Sequence, residues 1–274
     1  MFLKSVKMQI SYNLRRKSVM GIFFLLLFLV VFNYITNMIY YDGLDATQMF
    51  NPVKLSALSS WTASSFYLMQ FYPLLLVVPM ACGFFNDKNA RILNYMQSRV
   101  GIRNYFYAKQ ITVFVITFLL FTIPFLLELL IYRIIIPLCA NGDPSNVEYW
   151  QTIEGDSNLF LSSIYYFSPY LYTALSILIF GLVTSIFSVF NFSVTTLPVF
   201  KYRIMTYFPV YILFFIINRF ASIFGVSGET NYFLILPLYS SGDFIYPIYA
   251  VFLVALTVCS VILIEIRIHK GIVV

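Results

Sequence analysis

The sequence is poor in charged residues and in the side chains that soluble enzymes use for catalysis. It contains one histidine and three cysteines, and only 10% of its 274 residues are charged. Soluble domains carry about 25% charged and about 45–50% apolar residues, whereas this chain is 61% hydrophobic with a mean hydropathy of +0.85. The composition excludes an ordinary soluble domain and predicts an all-α integral membrane protein.

The few cysteines and the single histidine argue against a metal site, a disulfide framework or histidine-based catalysis. Cys82, Cys139 and Cys259 lie in or near different apolar runs and form no CxxC pair. We expect His269, near the end of the chain, to lack a Cys, Asp or Glu partner. The sequence has no GxxxxGK[ST] loop either, so we expect no catalytic residue, metal or cofactor in this chain.

Six apolar runs divide the chain, which we interpret as one transmembrane domain over residues 1–274. A spanning helix needs about 20 predominantly apolar residues, with a range of about 17–25. The predicted spans are residues 19–39, 66–85, 111–136, 170–189, 205–220 and 248–266. The semi-apolar residues 221–247 predict a re-entrant segment before the last span, packed against protein rather than lipid.

The distribution of charge predicts how these spans are oriented. With both termini placed in the cytoplasm, fourteen of the seventeen basic residues fall on the inner side and eight of the eleven acids on the outer side. Cytoplasmic loops of membrane proteins carry an excess of Lys and Arg. The longest outer loop, residues 137–169, contains four acids and no basic residue. Six spans with both ends inside therefore fit every loop.

The first seventeen residues predict an amphipathic helix on the inner leaflet. The apolar residues that recur there at helical intervals are Leu3, Val6, Ile10 and Leu14. Five basic residues surround them, and each adds about 1 kcal/mol of attraction to anionic lipid. A disordered basic tail is the alternative, and the three turns of regular apolar spacing argue against it.

The inner loop between the second and third predicted spans, residues 86–109, predicts a second short amphipathic helix. Ile92, Tyr95 and Met96 share one side at helical spacing. Asp87 suits the start of a helix, and Gly101 is a place for it to stop before another helix begins near residue 104. Such a helix can serve as a docking handle for a soluble partner or rest at the lipid headgroups. The residues alone leave both interpretations open.

Several polar residues fall inside the predicted spans, in their outer half. Glu128 lies seventeen residues after Ile111, which corresponds to roughly 26 Å along a helix. The candidates for a translocation path at this depth are Asn33, Asn37, Gln70, Glu128 and Asn218. The alternative is that these groups hold helices together by interhelical hydrogen bonds, each worth about 0.6 kcal/mol.

In this arrangement the chain resembles the membrane subunit of ATP-binding-cassette exporters of the second type. The shared features are a basic entry helix, six spans, a helical loop after the second span and a semi-apolar segment before the sixth. In that family the loop carries an acid, a small residue, Ser-Arg, Tyr and Lys. The matching positions here are Asp87, Ala90, Ser98, Arg99, Tyr105 and Lys109. Two features depart from the family: Ala90 stands where glycine is common, and the outer loop 137–169 is longer.

The resemblance implies a permease that couples to a separate cytosolic ATPase and pairs with a second copy or a paralogue. ATP and Mg²⁺ would bind to that ATPase. The residues implied to contact it are Asp87, Arg91, Ile92, Tyr95, Met96 and Arg99. The permease would lie in the plasma membrane of a bacterium and export a hydrophobic or amphipathic substrate, such as an antimicrobial or toxic peptide. It would bind lipid and no nucleic acid.

Two functions of other classes remain as alternatives. One is a membrane sensor or scaffold that transports nothing and uses the acidic outer loop as a binding surface. The other is an ion-coupled carrier that uses Glu128.

Overall fold

The structure is a computed structural model, and all regular structure in the part of the chain it describes is helical. The described residues are 2–40, 42–43, 55–59, 62–79, 83–84, 87, 100–135, 162–200, 202–223 and 246–269. The helices are α1 (Phe2–Leu14), α2 (Lys17–Tyr40), α3 (Ala63–Val77), α4 (Ile102–Ile135), α5 (Ser162–Phe167), α6 (Pro169–Thr195), α7 (Phe208–Ile223) and α8 (Tyr246–His269). A 3-10 helix, Arg203–Tyr207, leads into α7.

Four of these helices are long and apolar enough to cross a membrane: α2, α4, α6 and all but the first three residues of α8. The prediction of a multi-pass, all-helical membrane protein is therefore confirmed in its general form. Helix α3 has 15 residues and α7 has 16, both below the usual spanning length. Six spans stay a prediction, and so does the re-entrant segment, because residues 224–245 lie outside the described part.

Two helix boundaries differ most from the predicted spans, by eight and nine residues. The second span was predicted to continue to residue 85, but α3 ends at Val77 and Pro79 follows it closely. Proline has no backbone N–H, so Pro79 removes a helical hydrogen bond at this end, although α3 continues through Pro73. Helix α4 begins nine residues before the predicted third span. Its 34 residues correspond to roughly 51 Å, against about 30 Å of hydrocarbon, so α4 is long enough to project beyond the membrane core.

Helices α4 and α6 form the centre of the bundle and run antiparallel. Gln110 bonds Ser193 at one level, and Thr117 bonds Ser188 further along. At the next level Gly181 lets the helices approach closely, because a Cβ atom there would lie 2.1 Å from Oγ1 of Thr122. Small residues at helix contacts favour such close packing in membranes.

The remaining contacts define two ends of the bundle. Helix α2 runs parallel to α4: Arg16, just before α2, and Lys109 both bond Asp87 at one end, and Asn33 reaches Glu128 at the other. Helices α3, α6 and α8 run in the opposite direction. We call the end with Asp87 the basic end and the end with Glu128 the opposite end. These directions agree with the alternation that the charge distribution predicts.

Helix α1 packs on α4 through polar rather than apolar residues. The side chains buried against the bundle are those of Ser5, Gln9 and Asn13, one turn apart. The exposed apolar side chains are Leu3, Met8, Tyr12 and Leu14. The predicted helix over residues 1–17 is present as a helix from residue 2 to 14, and its apolar residues lie largely outside the protein core. That surface is suited to lipid contact.

Candidate functional site

Asp87 is the centre of a buried ionic cluster at the basic end. Its Oδ1 lies 2.8 Å from Nη2 of Arg16, and its Oδ2 lies 2.6 Å from Nζ of Lys109. The hydroxyl of Tyr105 also donates to Oδ2, at 2.7 Å. Asp87 is 3% exposed and Lys109 is 1% exposed. One carboxylate thus pairs with two cations, which leaves a net charge of +1, in a site that water scarcely reaches.

Three separate parts of the chain supply these side chains. Arg16 lies at the junction between α1 and α2, where the backbone turns from one helix into the next. Tyr105 and Lys109 are one turn apart on α4 and therefore point in the same direction. Their helix begins directly after Gly101, whose φ of +82° is a backbone conformation that glycine adopts readily.

The cluster is packed tightly as well as paired. A Cβ atom at Gly83 would lie 3.2 Å from Nη1 of Arg16 and 3.4 Å from Cε of Lys109. The guanidinium of Arg16 also lies over the ring of Tyr12, 4.9 Å from its centroid, so the cation has a second partner on α1. A side chain at residue 83 would crowd both cations that bind Asp87.

The arrangement can act mechanically. Residue 87 stands at the start of the predicted docking loop, and its carboxylate is held by the α1–α2 junction and by α4 at once. Breaking a buried ion pair on one side costs about 3–5 kcal/mol, because it leaves an uncompensated charge. If residue 87 is displaced, the α1–α2 junction and α4 would therefore move with it rather than lose their ion pairs to it.

The described part of the chain includes only one of the six predicted ATPase contacts. Asp87 lies in the cluster, whereas Arg91, Ile92, Tyr95, Met96 and Arg99 lie outside the described residues. Gly101, the predicted place for one helix to stop before another begins, directly precedes α4, which starts at the next residue. The participation of Arg16 was missed. In the sequence it is one of three consecutive basic residues, and nothing distinguishes it from its neighbours.

A second buried acid, Glu128, is the centre of a cluster at the opposite end, which we call the neutral cluster because the donors that bind the acid are uncharged. Nδ2 of Asn33 donates to its Oε1 at 2.8 Å, and the hydroxyl of Ser56 donates to its Oε2 at 3.3 Å. The backbone N–H of Ala57 donates to both carboxylate oxygens, at 2.9 and 3.1 Å. Three donor groups therefore satisfy the carboxylate, and no cation among the described residues pairs with it.

The same cluster attaches a short turn, residues 55–59, to α2 and α4. The carbonyl oxygen of Leu55 accepts from Nδ2 of Asn33 at 2.7 Å and from Nδ2 of Asn37 at 2.9 Å. The Tyr132 hydroxyl accepts from Asn37 at 2.8 Å and lies 3.2 Å from the Leu55 carbonyl. The turn is fully buried. These bonds hold the turn inside the bundle.

The structure brings together three of the five predicted path residues. Asn33, Asn37 and Glu128 share the neutral cluster, and Ser64 of α3 donates to Oδ1 of Asn33 at 2.6 Å. Gln70 is exposed on α3 and belongs to another surface. The side chain of Asn218 lies outside the described part. The observed bonds are of the interhelical kind that the sequence offered as the alternative to a path.

The expectation that His269 lacks an acidic partner is wrong. Glu265 precedes it by one helical turn, and its Oε2 lies 3.9 Å from Nε2 of His269. The closer partners of Glu265 are Nη2 of Arg103 at 2.7 Å and the Tyr107 hydroxyl at 2.5 Å, which join α8 to α4. His269 is highly exposed. The described residues contain no group of three or more His, Cys, Asp or Glu that could hold a metal ion.

Comparison with known proteins identifies no relative of this chain. No family model, no curated protein and no solved structure matches the chain.

Proposed function

We propose that the chain is the membrane-spanning subunit of an ATP-binding-cassette exporter of the second type. It has six spans, with both termini in the cytoplasm of a bacterium, and lies in the plasma membrane. A separate cytosolic ATPase binds ATP and Mg²⁺, and a second copy or a paralogue completes the path. The cargo is a hydrophobic or amphipathic molecule, such as an antimicrobial or toxic peptide. Four apolar helices of spanning length are compatible with this arrangement.

The observation that carries the proposal is the contact between three residues of the loop pattern. Asp87, Tyr105 and Lys109 occupy positions at which the exporter family has an acid, a tyrosine and a lysine. In this chain they meet within hydrogen-bonding distance around one carboxylate. A pattern that arose by chance along twenty-three residues would have no reason to converge in one buried cluster. The convergence gives the pattern a physical purpose, which is to fix the start of the loop to α4.

The proposed mechanism transmits force through that cluster. The apolar side of the loop, with Ile92, Tyr95 and Met96, contacts the ATPase, while Arg91 and Arg99 lie at the rim. When the ATPase closes on ATP, it displaces the loop. The ion pairs of Asp87 pass the displacement to α4 and to the α1–α2 junction, because separating a buried charge pair costs more than moving the helices with it.

The bonding of Glu128 disfavours the ion-coupled carrier. Carboxylates that carry ions through a membrane commonly face a water-filled cavity or pathway. Glu128 is 1% exposed, and three donor groups hold it. Under the proposed function, transport persists in a Glu128→Gln variant that folds and stops when ATP is withdrawn. Nucleotide-independent transport that Glu128→Gln abolishes would support the carrier instead.

The decisive experiment is purification of the full chain from the membranes of its own host. We expect a cassette-type ATPase, identified by mass spectrometry and by ATP hydrolysis, to accompany the wild-type chain. Met96→Asp and Tyr95→Ala should each reduce the recovered ATPase by about tenfold or more, because loss of about 1.4 kcal/mol of binding free energy weakens association tenfold.

The matched control is Met8→Asp, which places the same change on exposed α1 and should leave the association unchanged. Recovery of the ATPase with both loop variants, or its absence from the wild-type preparation, would refute the coupling role. A sensor or scaffold would bring down no ATPase.

A further inference from the structure

The buried face of α8 ends in an arginine at the basic end. The residues on this face are Leu256, Ser260, Ile264 and Arg267, which are 6%, 1%, 0% and 8% exposed. The carbonyl oxygen of Ser260 accepts a hydrogen bond from Nε2 of Gln110 on α4, at 3.1 Å. The spacing of four, four and three residues places all four side chains on one side of the helix. Arg267 therefore points toward the bundle rather than into open solvent.

The guanidinium of Arg267 has no counter-charge among the described residues. Its Nε is buried and makes no hydrogen bond. The nearest acid along α8, Glu265, lies about 200° away around the helix and already binds Arg103 and Tyr107. By contrast, Arg16 and Arg103 at the same end each bind a carboxylate, that of Asp87 and that of Glu265. Arg267 differs from both because it is buried without one.

A buried guanidinium without an anion is unfavourable, since its desolvation is not offset by a partner. The planar fork of N–H groups matches the oxygens of a phosphate and binds them in pairs. Arg267 lies seven residues beyond Ser260, roughly 10 Å along the axis toward the basic end. It is therefore at the end of a spanning helix, where lipid headgroups border the protein.

We propose that Arg267 binds the phosphate group of an inner-leaflet phospholipid, which anchors the basic end of α8 in the membrane. The choice of the inner leaflet rests on the orientation given in the proposed function. That leaflet carries anionic lipid, and basic residues near its surface are attracted to it. The site would fix α8 while the Asp87 cluster moves with the ATPase, so the two features divide the basic end into a fixed part and a moving part.

Native mass spectrometry of the detergent-purified full chain tests the site directly. The probes are phosphatidylglycerol and a diacylglycerol with the same acyl chains, which lacks the phosphate. We expect the wild-type chain to retain phosphatidylglycerol in preference to diacylglycerol. In Arg267→Gln the affinity for the tightest phosphatidylglycerol should fall at least about tenfold, the loss expected for a charge-assisted pair of hydrogen bonds.

Two variants separate binding at this site from general attraction and from misfolding. Arg15→Gln removes an exposed cation from the same end of the bundle and should change the affinity less than about twofold, within the range of a screened surface charge. Arg267→Lys keeps the charge but not the paired donors, and should weaken binding while the chain remains folded. Equal retention of both lipids, or an Arg267→Lys variant with wild-type affinity, would overturn the proposal.

Separate results distinguish a lipid phosphate from free phosphate, and the lipid site from the exporter function. Release of phosphatidylglycerol by inorganic phosphate at cellular concentration would assign the site to a free anion and overturn the lipid proposal. The assay contains no ATPase. If lipid binding depends on Arg267 but the purified chain recruits no ATPase, the exporter function is refuted and the lipid site stands. If the chain recruits the ATPase but Arg267 binds no lipid, the lipid site is refuted and the exporter function stands.

Discussion

The two ends of the bundle each bury one carboxylate, but the partners that bind it differ. At the basic end Asp87 binds two cations and a phenol, and at the opposite end Glu128 binds only neutral donors. The partners of Asp87 come from the α1–α2 junction and α4. Those of Glu128 come from α2 and a buried turn. The first cluster depends on charge, and the second depends on hydrogen-bond geometry.

This difference in partners determines what happens at each end when the buried acid loses its charge. Removing the charge of Asp87 strands two cations, one of which is 1% exposed, whereas removing the charge of Glu128 strands no ion. An ionic link resists separation and suits a part that transmits force. A neutral network of short bonds suits a part that stays closed. Under the proposed function, the Asp87 cluster would be the moving part of the basic end, and the Glu128 cluster would stay rigid.

The largest expected effect is that of Asp87→Asn. The neutral amide cannot balance Arg16 and Lys109, and breaking a buried pair in this way costs about 3–5 kcal/mol. Thermal unfolding of the purified chain in detergent should show the loss. Adding Lys109→Met should recover part of it, because Lys109 is the more deeply buried cation. An Asp87→Asn chain as stable as the wild type would remove the distinction between the two ends.

A smaller effect is expected for Glu128→Gln. The amide keeps the shape of the carboxylate but turns an N–H₂ group toward the N–H of Ala57 or the hydroxyl of Ser56. A buried polar group left without its partner costs about 1–3 kcal/mol. The same unfolding assay should rank this variant below Asp87→Asn. The opposite order would mean that the neutral cluster, rather than the ionic one, dominates stability.

The smallest effect is expected for Gly101→Ala, which tests the joint between the docking loop and α4. The site has open space, but its φ of +82° is unfavourable for alanine, with a cost of about 1–2 kcal/mol. The control is Gly21→Ala, which also has open space and lies within α2, where alanine favours the helix. If both changes stabilised the chain equally, the left-handed conformation at Gly101 would be unnecessary.

Some of the basic end was readable from the sequence. Asp87, Tyr105 and Lys109 stood out through the family pattern, and Gly101 stood out as a break between two periodic runs. Arg16 did not, because a run of three basic residues gives no indication of which one turns inward. Glu265 precedes His269 by four residues, an interval that places both side chains on one side of a helix, so this pair was readable from the sequence.

Less of the opposite end was readable. The sequence predicted that Asn33, Asn37 and Glu128 lie at one depth, because depth follows from counting residues along a helix. It did not predict the burial of residues 55–59, whose N–H and C=O groups bind Glu128 and the two asparagines. Gln70 was predicted at the same depth, but it lies on the exposed side of α3. The depth of a residue in the membrane follows from its position along one helix, whereas the side of the helix that is buried depends on how two helices pack.

The sequence by itself determined that this protein is helical and belongs in a membrane, because hydropathy and the placement of Lys and Arg act through the free energy of transfer to lipid and need no knowledge of neighbours. Only the tertiary structure decided which polar groups meet. The partners of Asp87 lie 71, 22 and 18 residues away along the chain, and those of Glu128 lie up to 95 residues away. Pairing over such distances depends on how the helices rotate and pack, which no local spacing encodes.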